Sequence, residues 1–197
     1  MDKLTQKYYS KNAQSFFDET INLDLSFSYE IFVQYLPSGA KVLDLGCGSG
    51  RDSKFFWDSG FIVESWEPNT ALAELAEQYL SKPVRRAEAL ELSEEDSFNG
   101  IWCSASLLHL QEVEFKNFLE RVPRSLLPGG IFYASFKWGE GEIIKEGRFF
   151  LMMNERRIRL NIDQIANLSI LKVVKRPDHR SERQGQFWLE IFALRSS

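Results

Sequence analysis

Short apolar runs alternate with amphipathic stretches along most of the chain, and glycine and proline mark the joints between them. KVLDL (41–45) runs into a glycine cluster, which predicts a buried strand feeding a tight turn. In RDSKFFWDS (51–59), Phe55 and Phe56 predict a helix turned toward a core, and Gly60 suits the position after a helix end, where a positive φ is favoured. FIVESWE (61–67) predicts a second strand through Ile62 and Val63, closed by Pro68. Asn69 or Thr70 then caps a helix that places Leu72, Leu75, Ala76, Tyr79 and Leu80 on one face and stops at Pro83. PVRRA (83–87) is expected to form a third strand, and NGIWCSA (99–105) a fourth. Val113, Phe115, Phe118, Leu119 and Val122 predict a helix over 112–126, after which LLPGG (126–130) turns into the apolar strand IFYASF (131–136). ILKVV (170–174) and FWLEIFAL (187–194) are placed to pair as an antiparallel hairpin across the loop 176–186.

Strand–helix alternation from 41 to 136 implies right-handed crossovers and a parallel sheet with helices on both faces, which the terminal hairpin completes as a mixed sheet. The expected class is therefore α/β, with a seven-stranded sheet in one domain spanning 1–197. In such sheets ligands bind outside the carboxyl ends of the strands. Chemistry is thus expected in the loops after Leu45, Trp66, Ala87, Cys103 and Phe136.

Composition narrows the function classes. At 44% hydrophobic and 26% charged, the chain is globular rather than disordered. The net charge of −4 argues against affinity resting on whole-surface attraction to nucleic acid or anionic lipid. That charge is uneven: residues 1–150 carry 15 lysines and arginines against 23 acids, whereas 151–197 carry 9 against 5. Cys47 and Cys103 stand 56 positions apart with no third partner, which argues against a disulfide framework or zinc cluster and for a reducing cytoplasm. MDKLTQKYYSKN lacks the apolar core of a signal peptide, and no run approaches a membrane span. With His109 and His179 as the two histidines, no metal site is expected.

Gly46, Gly48 and Gly50, in GCGSG between strand and helix, let backbone approach a ligand where a Cβ would collide. Glu67 ends the next strand 21 positions after Gly46, near the ~20-residue offset at which an acid reaches a ribose hydroxyl pair. A nucleoside is therefore favoured. The loop departs from a dinucleotide fingerprint because Gly50 comes one position early and Arg51-Asp52 follow, placing an acid where a pyrophosphate would be repelled. A phosphate-binding loop is excluded by the missing Gly-Lys-Ser/Thr. Asp44 and Asp52 suit instead a ligand carrying positive charge, and S-adenosylmethionine offers a sulfonium and an ammonium.

VLDLGCGSG (42–50) resembles motif I of the class I S-adenosylmethionine-dependent methyltransferases. The resemblance extends over most of the chain. In YYSKNAQSFFDET (8–20), GCGSGRDS (46–53), GIWCSASLLHL (100–110), LLPGG (126–130) and SFKWGEGE with GRFF (135–150), it looks like a small bacterial branch loosely grouped with tellurite-resistance methyltransferases. It implies a Rossmann-like methyltransferase fold in which Gly46, Cys47, Gly48 and Gly50 line the methionine end and Glu67 holds the ribose. Glu88, followed by Ala89, occupies the place where an Asp usually reaches the adenine amino group; Ala87 replaces the commoner glycine before it. Trp66 or Pro68 would flank the adenine, Ser104 and Ala105 would border the sulfonium, and Tyr8 or Tyr9 would cover the cofactor.

At the acceptor side, His109 is a candidate general base near neutral pH, with a capping or core-edge role as the alternative. Tyr9 joins it as a catalytic candidate; Tyr8, Tyr9 and Phe16 could equally form an apolar seam under an amino-terminal helix. Lys137, Glu142 and Arg148 are candidates for holding a polar or acidic acceptor, against a structural salt bridge. Arg156, Arg157 and Arg159 read as a solvated helix face, and the Cys47 thiol, with no base nearby, is not expected to act as a nucleophile. Segments 1–30, as a helical lid, and 137–160, as an insertion, would cover the site. The expected reaction is in-line methyl transfer from S-adenosylmethionine to a small-molecule acceptor, leaving S-adenosylhomocysteine. A tRNA or protein methyltransferase, and a non-catalytic sensor or partner subunit, are the alternatives; the former is disfavoured by Ser104-Ala105-Ser106-Leu107, which is not an N-P-P-Y-like tetrad.

Overall fold

A computed structural model describes residues 2–178, 180 and 185–196. His179 and positions 181–184 of the expected loop 176–186 lie outside the described residues. Two helices, α1 (Lys3–Thr20) and α2 (Ser26–Val33), precede the first strand. β1 (Lys41–Leu45), α3 (Arg51–Asp58), β2 (Ile62–Trp66) and α4 (Thr70–Leu80) then follow the predicted alternation. Asn69 is the residue that caps α4, its side chain accepting the Leu72 N–H.

β3 (Phe98–Cys103) is the next true strand. The strand expected over 83–87 contracts to a single parallel bridge between Trp66 and Arg85. Arg85 bonds the backbone of Ser65 and Glu67, but Pro83 before it has no N–H to extend the ladder, and Glu88 already begins a short 3₁₀ turn. The main sheet therefore has six strands rather than seven, in the order β2-β1-β3-β4-β8-β7. The helix expected over 112–126 is likewise divided, into α5 (Glu112–Leu119) and α6 (Val122–Ser125). Pro123 cannot continue a helix through Leu119, because its ring clashes with that carbonyl and it offers no N–H. β4 (Leu126–Lys137) absorbs LLPGG with a register shift opposite Phe98 and Gly100.

The segment 137–160 contains an antiparallel hairpin, β5 (Glu142–Lys145) and β6 (Arg148–Leu151), followed by most of α7 (Glu155–Ile162). Along α7, Arg156 and Arg159 are exposed as expected, while Arg157 turns inward to Glu112 at 2.7 Å and to the Met152 carbonyl. β7 (Leu168–Pro177) and β8 (Phe187–Arg195) form the predicted hairpin, with β8 inserted antiparallel between β4 and β7.

Side chains alternate across the sheet with a period of two. One face sends Leu43, Ile101, Phe132, Ala134 and Ile191 into the larger core beneath α5 and α7. The other sends Val42, Trp102, Tyr133 and Phe192 against Tyr29 and Phe32 of α2 and Phe56 of α3. Trp102 and Tyr133 stack there with ring centroids 3.8 Å apart. β1 has β2 on one side and β3 on the other, so the strand order reverses there and a crevice opens over Leu45 and Cys103. Among the described residues, no helix is long and apolar enough to cross a membrane.

Candidate functional site

Over that crevice lies a cavity of about 390 Å³, inside the roughly 300–1,000 Å³ typical of small-molecule sites. Its floor is the glycine loop. Gly46 has φ +79° and its missing Cβ would lie 2.3 Å from the Ser106 Cβ, so any side chain there would collide with the turn after β3. Gly50, at φ +81°, starts α3. Burial pushes the Cys47 thiol well above its ordinary value, so the thiolate needed for nucleophilic attack is suppressed.

Glu67 lies at one end of the cavity, buried, and both carboxylate oxygens are fixed by backbone donors: Oε2 accepts from Gly48 N at 3.0 Å and Oε1 from Asn69 N at 2.8 Å. Burial pushes its pKa up to about 7, and the two backbone N–H groups work against that rise. Each oxygen keeps a further lone pair, the acceptor geometry that a vicinal diol requires. Beside it, a recess of about 40 Å³ is lined by Gly46, Pro68, Glu88, Ala89 and Ser106. Glu88 stands at its rim, also capping the 3₁₀ turn of 89–91.

The two aspartates expected to face a positive ligand do other work. Asp52 lines the cavity, but its carboxylate is gripped by Arg51 at 2.6 and 3.0 Å, by Trp102 Nε1 at 2.8 Å and by the Tyr29 hydroxyl. Those partners outweigh burial and hold its pKa below the usual range. Asp44 is outside the cavity lining, buried behind the loop where Ser53 donates to it at 2.6 Å, and burial together with Asp52 pushes its pKa up. Neither carboxylate offers an unpaired charge to a ligand: Asp52 is paired by Arg51 and by the sequence-remote Tyr29 of α2 and Trp102 of β3, and Asp44 is held by Ser53 of α3.

α1 roofs the cavity. Its Tyr8, Tyr9 and Phe16 line it, and Asn69 Nδ2 donates to Gln6 O, Gln6 Oε1 and Ser10 Oγ at 3.1, 2.9 and 2.9 Å. Thr5 Oγ1 accepts from Phe149 N at 3.0 Å, which ties α1 to β6. His109, in the 3₁₀ turn after β3, has both ring nitrogens engaged. Nδ1 lies 2.7 Å from the Phe149 carbonyl, which can only accept, so Nδ1 carries the proton. Nε2 is then the acceptor of the Tyr9 hydroxyl at 2.8 Å. Burial lowers the His109 pKa to about 4 and raises that of Tyr9 to about 12. His109 lines the cavity, but with both ring nitrogens engaged it faces that space without an open nitrogen.

Ser104, Ala105, Lys137 and Arg148 also line the cavity. Arg148 lies 4.1 Å over the Tyr8 ring and donates to Glu146 at 3.0 Å, and Lys137 sits 3.8 Å over Phe150. Glu142 is not with them. The hairpin register pairs Lys145 with Arg148 but Glu142 with Leu151, which puts Glu142 at the far end, where it is exposed and accepts from Glu112 N at 2.8 Å. The sequence reading missed a second polar group on the opposite wall: Tyr133 and Ser135 on β4, Glu190 and Trp188 on β8, and Arg176 on β7. A signal for it was present, since Glu190 is the one charged residue in the apolar run FWLEIFAL. Among the described residues no group of His, Cys, Asp and Glu is arranged to hold a metal ion.

The family described as methyltransferase domain matches residues 42–130. No match was found among curated proteins. Among solved structures, Burkholderia thailandensis 1,6-didemethyltoxoflavin-N1-methyltransferase, with 1,6-didemethyltoxoflavin and S-adenosylhomocysteine bound, is similar at TM-score 0.79 and 21% identity, over 98% of this chain and 88% of that one. A S-adenosylmethionine-dependent methyltransferase of Methanosarcina mazei gives 0.76 and 20%, over 88% and 99%. Phosphoethanolamine N-methyltransferase 2 of Haemonchus contortus, in complex with S-adenosylmethionine, gives 0.75 and 14%, over 100% and 61%. The chain thus has a Rossmann-like methyltransferase fold, within which residues 42–130 match a methyltransferase-domain model.

Proposed function

We propose that this protein moves the methyl group of S-adenosylmethionine onto a small-molecule acceptor in the cytoplasm. The observation that carries the reading is Glu67, a buried carboxylate aimed by two backbone donors at one end of a ligand-sized cavity above the glycine loop. Glu67 accepts the ribose hydroxyls, and Pro68, Glu88 and Ala89 frame the adenine in the adjoining recess. The backbone of Gly46, Cys47 and Gly48 holds the methionine end, with Tyr8 above it and the Arg51–Asp52 pair beside it. Gly50 and Asp44 support the loop from behind. Ser104 and Ala105 border the reacting side.

When bound, the cofactor supplies a methyl group already activated by its sulfonium. What the protein adds is chiefly position, which in favourable cases contributes about 7–11 kcal/mol. Tyr9 and His109 act as a positioning pair: neutral imidazole holds the phenol, and burial keeps both groups in one protonation state across neutral pH. The acceptor therefore brings a lone pair that is free at neutral pH. α1, within the lid segment 1–30, and the hairpin within 137–160 close over the reacting atoms and exclude water. Lys137 and Arg148 hold the acceptor's polar groups. The Burkholderia enzyme, solved with 1,6-didemethyltoxoflavin and S-adenosylhomocysteine bound, supports a small-molecule acceptor here.

Calorimetric titration with S-adenosylmethionine, S-adenosylhomocysteine and NAD tests the reading. Micromolar binding of the two adenosyl ligands, lost in Glu67→Ala and absent for NAD, is expected. Folded protein that binds neither adenosyl ligand overturns it.

A further inference from the structure

The wall of the cavity opposite Glu67 carries a second buried carboxylate. Glu190 lies in the middle of β8, 3% exposed, directly across the β4–β8 ladder from Ser135. Its Oε2 accepts from Ser28 Oγ at 2.8 Å, and Arg176 Nη1 is 3.9 Å from Oε1. Ser135 Oγ accepts the Ala105 N–H at 2.8 Å, which leaves its own hydroxyl proton to donate and ties this wall to the residue bordering the reacting side. Tyr133, two positions before Ser135 and on the same face of β4, is fully buried and lines the cavity, and its hydroxyl stands near those of Ser135 and Ser28 without a hydrogen bond of good geometry to either.

The wall therefore presents a carboxylate acceptor next to two hydroxyl donors. A buried polar group left unpaired costs about 1–3 kcal/mol, so such a set is retained where a ligand completes it. A simple cation would satisfy Glu190 alone, and Arg176 already stands beside that charge. A carboxylate ligand would satisfy the donors but oppose Glu190. An edge carrying an N–H next to a carbonyl satisfies both. We propose that Glu190, Tyr133 and Ser135 form the specificity subsite for the methyl acceptor, and that they recognise the lactam edge of a planar nitrogen heterocycle. Glu190 takes the N–H, and the two hydroxyls donate to the carbonyl. Trp188, on the same cavity wall, adds apolar surface for the ring. The proposal deepens the methyl-transfer reading and rests on it.

The test is a binding measurement on protein with and without saturating S-adenosylhomocysteine, using 2-quinolone, 4-quinazolinone and lumazine as lactams, and quinoline, naphthalene and benzylamine as controls. At least one lactam is expected to bind about tenfold or more tightly than quinoline or benzylamine, the discrimination of one hydrogen bond to a charged group. Glu190→Ala should abolish that preference and the isosteric Glu190→Gln should reduce it, with Tyr133→Phe weakening lactam binding alone. Affinity for S-adenosylhomocysteine, unchanged in all three variants, reports separately on the methyl-transfer reading. Absence of lactam binding, equal binding of quinoline, preference for benzylamine, or lactam binding unaffected in both Glu190 variants overturns the subsite.

Discussion

The Tyr9 hydroxyl donates to Nε2 of His109 over 2.8 Å, joining two residues that lie 100 positions apart in the chain. With Nδ1 held by the Phe149 carbonyl, the imidazole is fixed in one tautomer and one charge state. Tyr9→Phe is expected to lower kcat about tenfold through lost alignment, while S-adenosylhomocysteine affinity stays within about twofold. With S-adenosylmethionine held saturating at every pH, so that Glu67 ionisation does not enter, kcat of the unaltered enzyme should show no limb near 6.5. A limb there that vanishes in His109→Gln would restore the imidazole as general base.

Cofactor affinity should follow the ionisation of Glu67. Only the carboxylate offers all its lone pairs to two hydroxyls, and burial places its pKa at about 7. Calorimetry between pH 8 and pH 6 is expected to show S-adenosylhomocysteine binding weakening as pH falls. Glu67→Gln should bind more weakly throughout and lose the pH dependence.

Folding stability carries two opposed contributions. His109 drops from its ordinary 6.5 to about 4, so its contribution is complete above 6.5 and is lost as pH falls toward 4; it is on the order of 3 kcal/mol. Glu67 rises from 4.5 to about 7, so its contribution is present below 4.5 and is lost as pH rises through 7. Between pH 5 and 6.5 the two slopes oppose each other. Urea titrations should therefore give His109→Gln a stability that falls with rising pH relative to the unaltered protein, and Glu67→Gln one that rises.

Asn69→Ala removes the cap of α4 and three hydrogen bonds to α1 at once. A loss of about 1–2 kcal/mol is expected from the cap. Amide exchange in residues 3–12 should accelerate more than exchange in β1 or β3, and equal acceleration throughout would show that α1 is held by other contacts.

Local signals carried the first half of the fold. The run KVLDL ahead of GCGSG, and the interval from Gly46 to Glu67, are consequences of one strand–turn–helix–strand unit and need no remote partner. The terminal hairpin was legible for the same reason. Register and long-range pairing were not. Asp52 looks like an open acid until Tyr29 and Trp102 close on it, and Glu142 falls between Lys137 and Arg148 in sequence yet at the other end of a hairpin in space. PVRRA reads as a strand because nothing local reveals that only Arg85 finds a neighbour.

The insertion of β8 between β4 and β7 divides the cavity according to position along the chain. Gly46, Glu67, Glu88, Ser104 and His109 all fall within the segment 42–130 that matches the methyltransferase family, whereas Tyr133, Ser135, Arg176 and Glu190 all follow it. On the proposed reading, the glycine loop and Glu67 that take the donor lie in the first stretch and the Glu190 subsite for the recipient lies in the second, while α1 and α2 bring Tyr8, Tyr9 and Ser28 to both. If that reading holds, a chimera joined near residue 126 is expected to take its choice of recipient from the carboxyl-terminal parent while keeping the S-adenosylhomocysteine affinity of the amino-terminal one.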